Sequence, residues 1–228
     1  MVTKKDVQYD TVNPELQELY GVRYYPEGER FKYVAQSSQN YYFETYIGAY
    51  DINVEFGDSI YLISECKKKA ILKRGSCTIR SAHCATVIRG YMPSEVTASL
   101  EGTTTLPYIN GCSTRQIFFP PRIGDPTLQL LKIPPYSTEQ AHHIHSTVRV
   151  VYVLSGRGRS IVGMESYRIE QDLLPGMICI LEPMCPHHFE TPYGEPLIVI
   201  PLHVYSSSGI QETYHPMFNG TYTMNQGV

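Results

Sequence analysis

The sequence predicts an all-β protein built of two small barrels. Short strand-like runs rich in β-branched and aromatic residues follow one another along most of the 228 residues, and glycine and proline punctuate them at short intervals. Only the stretch 14–19 keeps a helical pattern, long enough for one or two turns. With 42% hydrophobic and 18% charged residues, the chain can bury a substantial core and suits one or two domains.

The first series of strands follows a polar leader, which we place at residues 1–40. Turn signals such as Gly57-Asp58 and Arg74-Gly75 separate the runs of this half, which we place at 41–112. The predicted strands are 41–46, 60–64, 70–72, 77–80, 85–88 and 96–100.

The second series lies at 113–208, where Pro134-Pro135 and Gly156-Arg157-Gly158 mark turns. Its predicted strands are 116–119, 128–133, 143–145, 148–154, 159–162, 177–181 and 197–205. The remaining residues, 209–228, are polar but contain interspersed aromatic side chains. We expect this tail to dock across a barrel or a neighbouring subunit rather than to be fully disordered.

Charge and composition exclude several classes of partner. A net charge of −3 argues against nucleic acid, because phosphate binding draws on a concentrated positive surface. No apolar run approaches the length that crosses a bilayer, and the N-terminal residues lack the apolar core of a secretory signal. Six scattered cysteines without a Cys-x-x-Cys pair indicate free thiols. We therefore expect a cytoplasmic protein with no nucleic-acid or membrane partner.

The run His143-Ile144-His145 carries the strongest chemical signal. Successive side chains of a strand point to opposite faces, so His143 and His145 share a face and His142 takes the other. Two imidazoles on one face can grip a metal ion, and a third from another strand would complete the set. His187, after Pro186, is the candidate for that third ligand.

Residues 137–156 resemble the first motif of the cupin superfamily, in which a His-x-His pair precedes a Glu and a glycine. The glycine is Gly156, which puts Arg149 where the family usually has Glu.

Residues 176–191 resemble the second cupin motif, which runs from a glycine to a histidine. Gly176 and His187 match it, whereas Glu182, Met184 and Thr191 stand where the family prefers Pro, Gly and Asn.

The resemblance implies two cupin-type jelly-roll barrels in tandem, a bicupin. In the first barrel, residues 75–83 faintly echo the second motif, but no His-x-His pair precedes them. We expect His83 to be a structural histidine and this barrel to serve packing, dimerisation or pocket closure. The second barrel would hold one divalent metal ion on His143, His145 and His187, with Fe(II) favoured and Zn, Ni or Mn as alternatives.

Arg149 and Glu139 are the candidate catalytic residues. A guanidinium stays protonated and cannot ligate a metal, so Arg149 would instead bind the anionic end of a substrate. Glu139, four residues before His143, could replace the missing carboxylate, although a Thr-Glu-Gln loop is more often solvated. Tyr152 falls on the face opposite to Arg149, which favours a core role.

The other polar residues near the motifs are expected to have mainly structural roles. His142 and His188 flank the proposed ligands and should face outward. For His203, on the closing strand, a core role is favoured over metal ligation. Cys185 is a candidate ligand or nucleophile, but a turn residue here is more often a spacer.

Three functions remain open. The first is a metal-dependent enzyme for a small, anionic organic substrate, most simply an Fe(II) dioxygenase. The second is a metal-dependent lyase or isomerase. The third is a non-catalytic small-molecule-binding cupin organised around Arg149. Nineteen tyrosines and no tryptophan suggest amphipathic interfaces, and we expect a homodimer.

Overall fold

The computed structural model describes residues 13–28, 30–34, 43–48, 50–80, 82–121, 124–164, 166–204 and 221–222. Statements about structure below concern these residues. The predicted tail, 209–228, lies outside them apart from residues 221–222.

The described chain is almost entirely β. Its helices are α1 (Pro14–Tyr20) and a 3-10 helix (Ile109–Gly111). The first ten strands are β1 (Val22–Tyr25), β2 (Phe31–Val34), β3 (Phe43–Ile47), β4 (Ile52–Val54), β5 (Ser59–Ile63), β6 (Lys69–Arg74), β7 (Cys77–Ile79), β8 (Cys84–Ile88), β9 (Val96–Ser99) and β10 (Leu106–Pro107). The other ten are β11 (Ser113–Phe118), β12 (Thr127–Ile133), β13 (His143–Ile144), β14 (Val148–Gly156), β15 (Gly158–Met164), β16 (Tyr167–Leu173), β17 (Ile178–Leu181), β18 (His187–Glu190), β19 (Leu197–Val204) and β20 (Thr221–Tyr222).

Four sheets divide into two units. In the C-terminal unit, a seven-stranded sheet of order β1-β17-β14-β19-β12-β11-β10 faces a five-stranded sheet of order β16-β15-β18-β13-β20. In the N-terminal unit, a six-stranded sheet of order β2-β3-β8-β5-β6-β9 packs against the β4-β7 pair. The all-β prediction is confirmed, and so is the short helix at 14–19. The reading of the N-terminal unit as a cupin barrel stays a prediction.

The leader contributes more structure than its polar composition indicated. Strand β1 pairs with β17 in the C-terminal unit, whereas β2 pairs with β3 in the N-terminal unit. Their sequences, VRYY and FKYV, mix apolar, aromatic and charged side chains within four residues, which is too short for a clear period. Only long-range pairing identifies them as strands.

Strand β14 serves two cores at once. Val148, Val150 and Tyr152 face the six-stranded sheet of the N-terminal unit, in the cluster that also holds Phe43 and Ile88. The alternate residues, such as Val151 and Val153, face the interior of the C-terminal unit, between its two sheets. This alternation confirms that Tyr152 is a core residue on the face opposite to Arg149. The two units therefore share one continuous apolar layer.

The state of the cysteines and the length of the helices agree with the expectations from the sequence. All six cysteines are free, four of them buried and Cys66 exposed. No helix in the described part of the chain reaches the length and apolarity that a bilayer crossing requires.

A glycine pair offers a direct test of the turn that follows β14. Gly156 has a φ of +79°, and a Cβ there would overlap the carbonyl group of Pro196, whereas Gly75 has a φ of +74° but open space around it. We expect Gly75→Ala to cost about 1 kcal/mol through its backbone conformation alone. Gly156→Ala should cost about 3 kcal/mol or more, because overlap is added to strain.

Urea denaturation of the two variants measures both losses. In a thermal melt of a chain of this length, a loss of 1 kcal/mol in the free energy of unfolding should lower the melting temperature by roughly 2–4 °C. Equal losses in the two variants would contradict the close packing of Gly156 against residue 196.

Candidate metal centre

Three histidines meet on the inner face of the five-stranded sheet. His143 on β13 lies directly opposite His187 on β18, and β18 in turn pairs with β15. His145 follows β13, where its carbonyl accepts a hydrogen bond of 2.6 Å from the backbone amide of Met184. All three side chains are buried, and their ligand nitrogens lie within 4.8 Å of one another. The predicted His-x-His pair and His187 are therefore brought together.

Backbone carbonyls fix the orientation of two of these rings. His143 Nδ1 lies 2.9 Å from the carbonyl oxygen of Ala141, and His187 Nδ1 lies 2.7 Å from that of Cys185. A carbonyl only accepts, so each Nδ1 carries the proton and donates it. The Nε2 lone pairs of both rings then point into the site, as they do in histidines that bind metals.

Burial keeps the three imidazoles neutral. It lowers the pKa of His143 to about 3, with the Arg149 charge acting in the same direction. The pKa values of His145 and His187 are also lowered, by burial first and by Arg149 second. Neutral imidazoles are the form that ligates a metal, so protons do not compete for these lone pairs near neutral pH.

Arg149 enters the same site from β14 in the facing sheet. Its Nη2 donates to His187 Nε2 and lies 3.5 Å from His143 Nε2. The side chain is 4% exposed, and its Nε has no hydrogen-bond partner among the described residues. Burial lowers the pKa of the guanidinium and the nearby charge of Glu139 opposes that shift. A cation thus sits where the cupin pattern has a carboxylate.

Gln140 and Tyr108 belong to the site although no sequence pattern marked them. Gln140 Nε2 donates to His143 Nε2, and Tyr108 donates its hydroxyl hydrogen to Gln140 Oε1 over 2.5 Å. This chain of bonds assigns the amide orientation, because His143 Nε2 is an acceptor. Tyr108 arrives from the segment just before the 3-10 helix, which sequence alone placed in the other half of the chain.

Glu139 is buried rather than solvated. It is 5% exposed, its backbone amide donates to the carbonyl of Phe189 over 2.8 Å, and its Oε2 has no hydrogen-bond partner among the described residues. Burial raises its pKa, and the Arg149 charge opposes the rise. The sequence expectation of a solvated Thr-Glu-Gln loop is therefore wrong, because backbone pairing of Thr138 with Glu190 and of Glu139 with Phe189 holds the loop against β18.

A cavity of about 200 Å³ opens beside the histidines. His145, Arg149 and Glu139 supply its main polar groups, together with Gln140 and His203. Thr114 and Gln129 add two further polar side chains. The apolar and aromatic walls come from the seven-stranded sheet, the segment before the 3-10 helix and β18: Leu106, Tyr108, Leu131, Phe189, Val199 and Pro201. A small organic molecule with one charged end suits this lining.

The histidines that flank the ligands face outward, as expected. His142 and His188 lie on the other side of the five-stranded sheet, with their Nδ1 atoms 2.8 Å apart. His203 is buried and lines the cavity, with its ring centre 6.3 Å from that of His145. His83 lies outside this region and stacks edge-on against Tyr152, which agrees with a structural role.

Cys185 is a buried spacer. Burial raises the pKa of its thiol to about 12, so the nucleophilic thiolate is scarce at neutral pH. Its contribution to the site is the carbonyl that orients His187.

The departures from the second cupin motif have local explanations. Met184 has a φ of +65°, the left-handed region that glycine adopts most easily. Thr191 is buried, donates its hydroxyl hydrogen to the carbonyl of Pro134, and accepts a 3.0 Å bond from the amide of Ser137. It thereby ties down the loop that leads to Glu139 and His143.

Comparison with known proteins agrees with this geometry. Residues 129–205 match the family model described as the cupin domain. This match places a cupin domain in the C-terminal unit. No curated protein matches the chain in sequence.

Solved structures with similar folds include cupin proteins. AerE from Microcystis aeruginosa aligns with 79% of this chain and 98% of its own, at 12% identity and a TM-score of 0.50. A mutant of Bacillus subtilis oxalate decarboxylase aligns with 82% of this chain and 76% of its own, at 10% identity and a TM-score of 0.44. A cupin 2 conserved barrel domain protein from Leptotrichia buccalis covers 79% of this chain and 91% of its own, at 14% identity and a TM-score of 0.44. At these identities the likeness concerns the fold alone.

The donor set suits a divalent metal ion. Imidazole nitrogen binds Zn, Fe, Ni and Cu, and His143, His145 and His187 present neutral rings to one point. Two of the three rings have the outer hydrogen bond that fixes a ligating tautomer. The cluster therefore fits a three-histidine centre, provided that the Arg149 guanidinium leaves the lone pairs.

The cavity histidine His203 makes stability depend on pH. Burial lowers its pKa to about 3, against about 6.5 in an unfolded chain. Between these values the unfolded state binds one more proton than the folded state, so the free energy of unfolding decreases as pH falls. From about pH 7 to about pH 5 this residue should account for a loss of about 2 kcal/mol.

Urea denaturation with EDTA present tests this assignment. The stability of His203→Phe should fall less steeply with acid than that of the parent chain, by about 2 kcal/mol over this interval. Identical pH slopes would show that His203 is protonated equally in the folded and unfolded states.

Proposed function

We propose that this cupin is a metal-dependent enzyme that acts on a small, anionic organic molecule, most simply as an Fe(II) dioxygenase. One observation carries the proposal: three neutral imidazole nitrogens and one buried guanidinium converge at the end of a cavity of about 200 Å³. The imidazoles suit a metal ion, and the guanidinium suits an anion.

His143, His145 and His187 would hold the ion. A divalent ion on three neutral ligands keeps its charge uncompensated and its remaining positions open, so it supplies Lewis acidity and, as Fe(II), electrons for reaction with O₂. The protein's part is to hold three buried rings together, two of them in fixed tautomers.

Arg149 would bind the substrate's carboxylate. A planar guanidinium pairs with a carboxylate through two parallel hydrogen bonds, and its Nε lacks a protein partner among the described residues. Because the side chain is buried, an anion beside it faces little competition from water.

Glu139 would move a proton at Oε2. A carboxyl group whose pKa is raised by burial accepts a proton more readily than an exposed one and can return it when a neighbouring charge changes. Its position on the cavity wall beside Arg149 places it within the same enclosure as the substrate.

Two alternatives share these residues. A metal-dependent lyase or isomerase would use Zn, Ni or Mn at the same histidines without consuming O₂. A non-catalytic anion-binding cupin is favoured by a different observation, the hydrogen bond from Arg149 to His187, which satisfies the ring without an ion.

We also propose that the protein is cytoplasmic and homodimeric. Six free thiols suit a reducing compartment, and exposed aromatic side chains such as Phe119 and Tyr136 suit an interface between copies. Light scattering after size exclusion should give twice the 25.9 kDa chain mass. A mass of one chain at micromolar concentration would rule out a stable dimer.

Metal binding should depend on the inward-facing histidines alone. We expect near one equivalent of metal after anaerobic Fe(II) loading of tag-free protein, measured by plasma mass spectrometry. His143→Ala and His187→Ala should reduce this to a small fraction, because each removes one of three ligands. His142→Ala, which changes the neighbouring ring on the opposite face, should retain it. Full occupancy in both ligand variants would remove the proposed ligand set.

Oxygen uptake separates the enzymatic alternatives. We expect Fe(II)-loaded protein to consume O₂ with some members of a panel of small carboxylic acids, and Arg149→Ala to raise the KM for an active acid by about 30-fold or more. Turnover without O₂ uptake would assign the lyase or isomerase. An unchanged KM in Arg149→Ala would reject the anion-binding role of Arg149.

A further inference from the structure

The Arg149 guanidinium and a metal ion require the same lone pairs. His187 Nε2 accepts from Arg149 Nη2, and His143 Nε2 lies 3.5 Å from the same nitrogen. Each ring donates through Nδ1 to a backbone carbonyl, so Nε2 is its one acceptor. An imidazole nitrogen cannot ligate an ion while its lone pair accepts a hydrogen bond. Ion binding therefore requires Arg149 to move away.

A displaced guanidinium needs a new partner within the enclosure. Arg149 is almost fully buried, and an unpaired buried cation is strongly destabilising. A metal ion at the histidines would also repel it. Among the described residues that line the cavity, Glu139 is the one carboxyl group, and neither its Oε2 nor Arg149 Nε has a hydrogen-bond partner among the described residues. A carboxylate ligand in the cavity can meet this demand directly.

We propose that Arg149 is a gate that couples the two bound species, so that a metal ion and a small carboxylate occupy this centre cooperatively. The inference rests on the three-histidine metal site of the proposed function. In the gated state, Arg149 pairs with the imidazoles and metal affinity is low. When a carboxylate binds, the guanidinium turns to it, and the His187 Nε2 lone pair becomes available to the ion.

The cavity walls specify the rest of the ligand. Beyond Arg149, the side chains of Leu131, Phe189 and Val199 form an apolar lining. A carboxylate attached to a short hydrocarbon or aromatic body fits both features, whereas a second charge would face these apolar walls.

Coupling of this kind is reciprocal. If the carboxylate raises metal affinity by a given factor, the metal raises carboxylate affinity by the same factor, and such factors are commonly about 5–150. Removing the guanidinium should both tighten metal binding and abolish the coupling, because no cation then occupies the His187 lone pair or receives the anion.

Calorimetric titration of the full-length apoprotein with Co²⁺ tests the gate. Titrations are run alone and with propanoate, butanoate or benzoate, which are weak metal chelators. For the parent chain we expect at least one of these acids to tighten Co²⁺ binding by about tenfold or more. Arg149→Met, which keeps the length of the stem without the charge, should bind Co²⁺ at least about tenfold more tightly than the parent without any acid, and the acids should have no further effect.

Controls separate the gate from the metal site itself. Arg149→Gln provides a second uncharged variant should the Met variant unfold, and melting temperatures check both. If none of the acids tightens Co²⁺ binding to the parent, or if the Arg149 variants bind Co²⁺ no more tightly, the gate is wrong while the metal site stands. If neither the parent nor the variants bind Co²⁺, the proposed metal function fails as well.

Discussion

The alternation of side chains along β14 is the constraint on which the molecule depends. One face of this strand holds the two units together through Val148, Val150 and Tyr152. The other face carries Arg149 into the centre of the C-terminal unit, below the three histidines. A shift of one residue in its pairing would exchange the two faces, which would withdraw the cation from the site and place it in the apolar layer between the units. Packing and chemistry are thus set by the same strand register.

The buried cation determines what the centre can do. In the usual cupin pattern a carboxylate at this position would add negative charge to the ligand set, whereas Arg149 adds positive charge and competes for the lone pairs. The enclosure contains few anions of its own, because its imidazoles are neutral and Glu139 supplies its one carboxyl group among the described lining residues. An anionic small molecule is the partner that this arrangement lacks, and this is why substrate charge is central to the proposed function.

Much of the metal centre could be predicted from the sequence, because the face to which a strand residue points depends only on its position along the strand. The inward placement of His143 and His145, the outward placement of His142 and the core position of Tyr152 all follow from a period of two residues. Gln140, Tyr108 and the wall of the cavity did not follow, because they are brought together by pairing between distant strands. Strands β1 and β2 of the leader were not predicted from the sequence for the same reason, since each is defined by its pairing with a distant strand. Burial of Glu139 depends on where its loop crosses the unit, which residue type alone does not indicate.

The most direct test of this account is X-ray absorption spectroscopy of the metal-loaded protein, because it identifies the ligands of the ion itself. Three imidazole nitrogens are expected at about 2.0–2.1 Å from a bound zinc ion, with oxygen ligands completing the shell. In His187→Ala the remaining metal should show fewer imidazoles. A shell without imidazole, or one containing cysteine sulfur, would contradict the three-histidine centre.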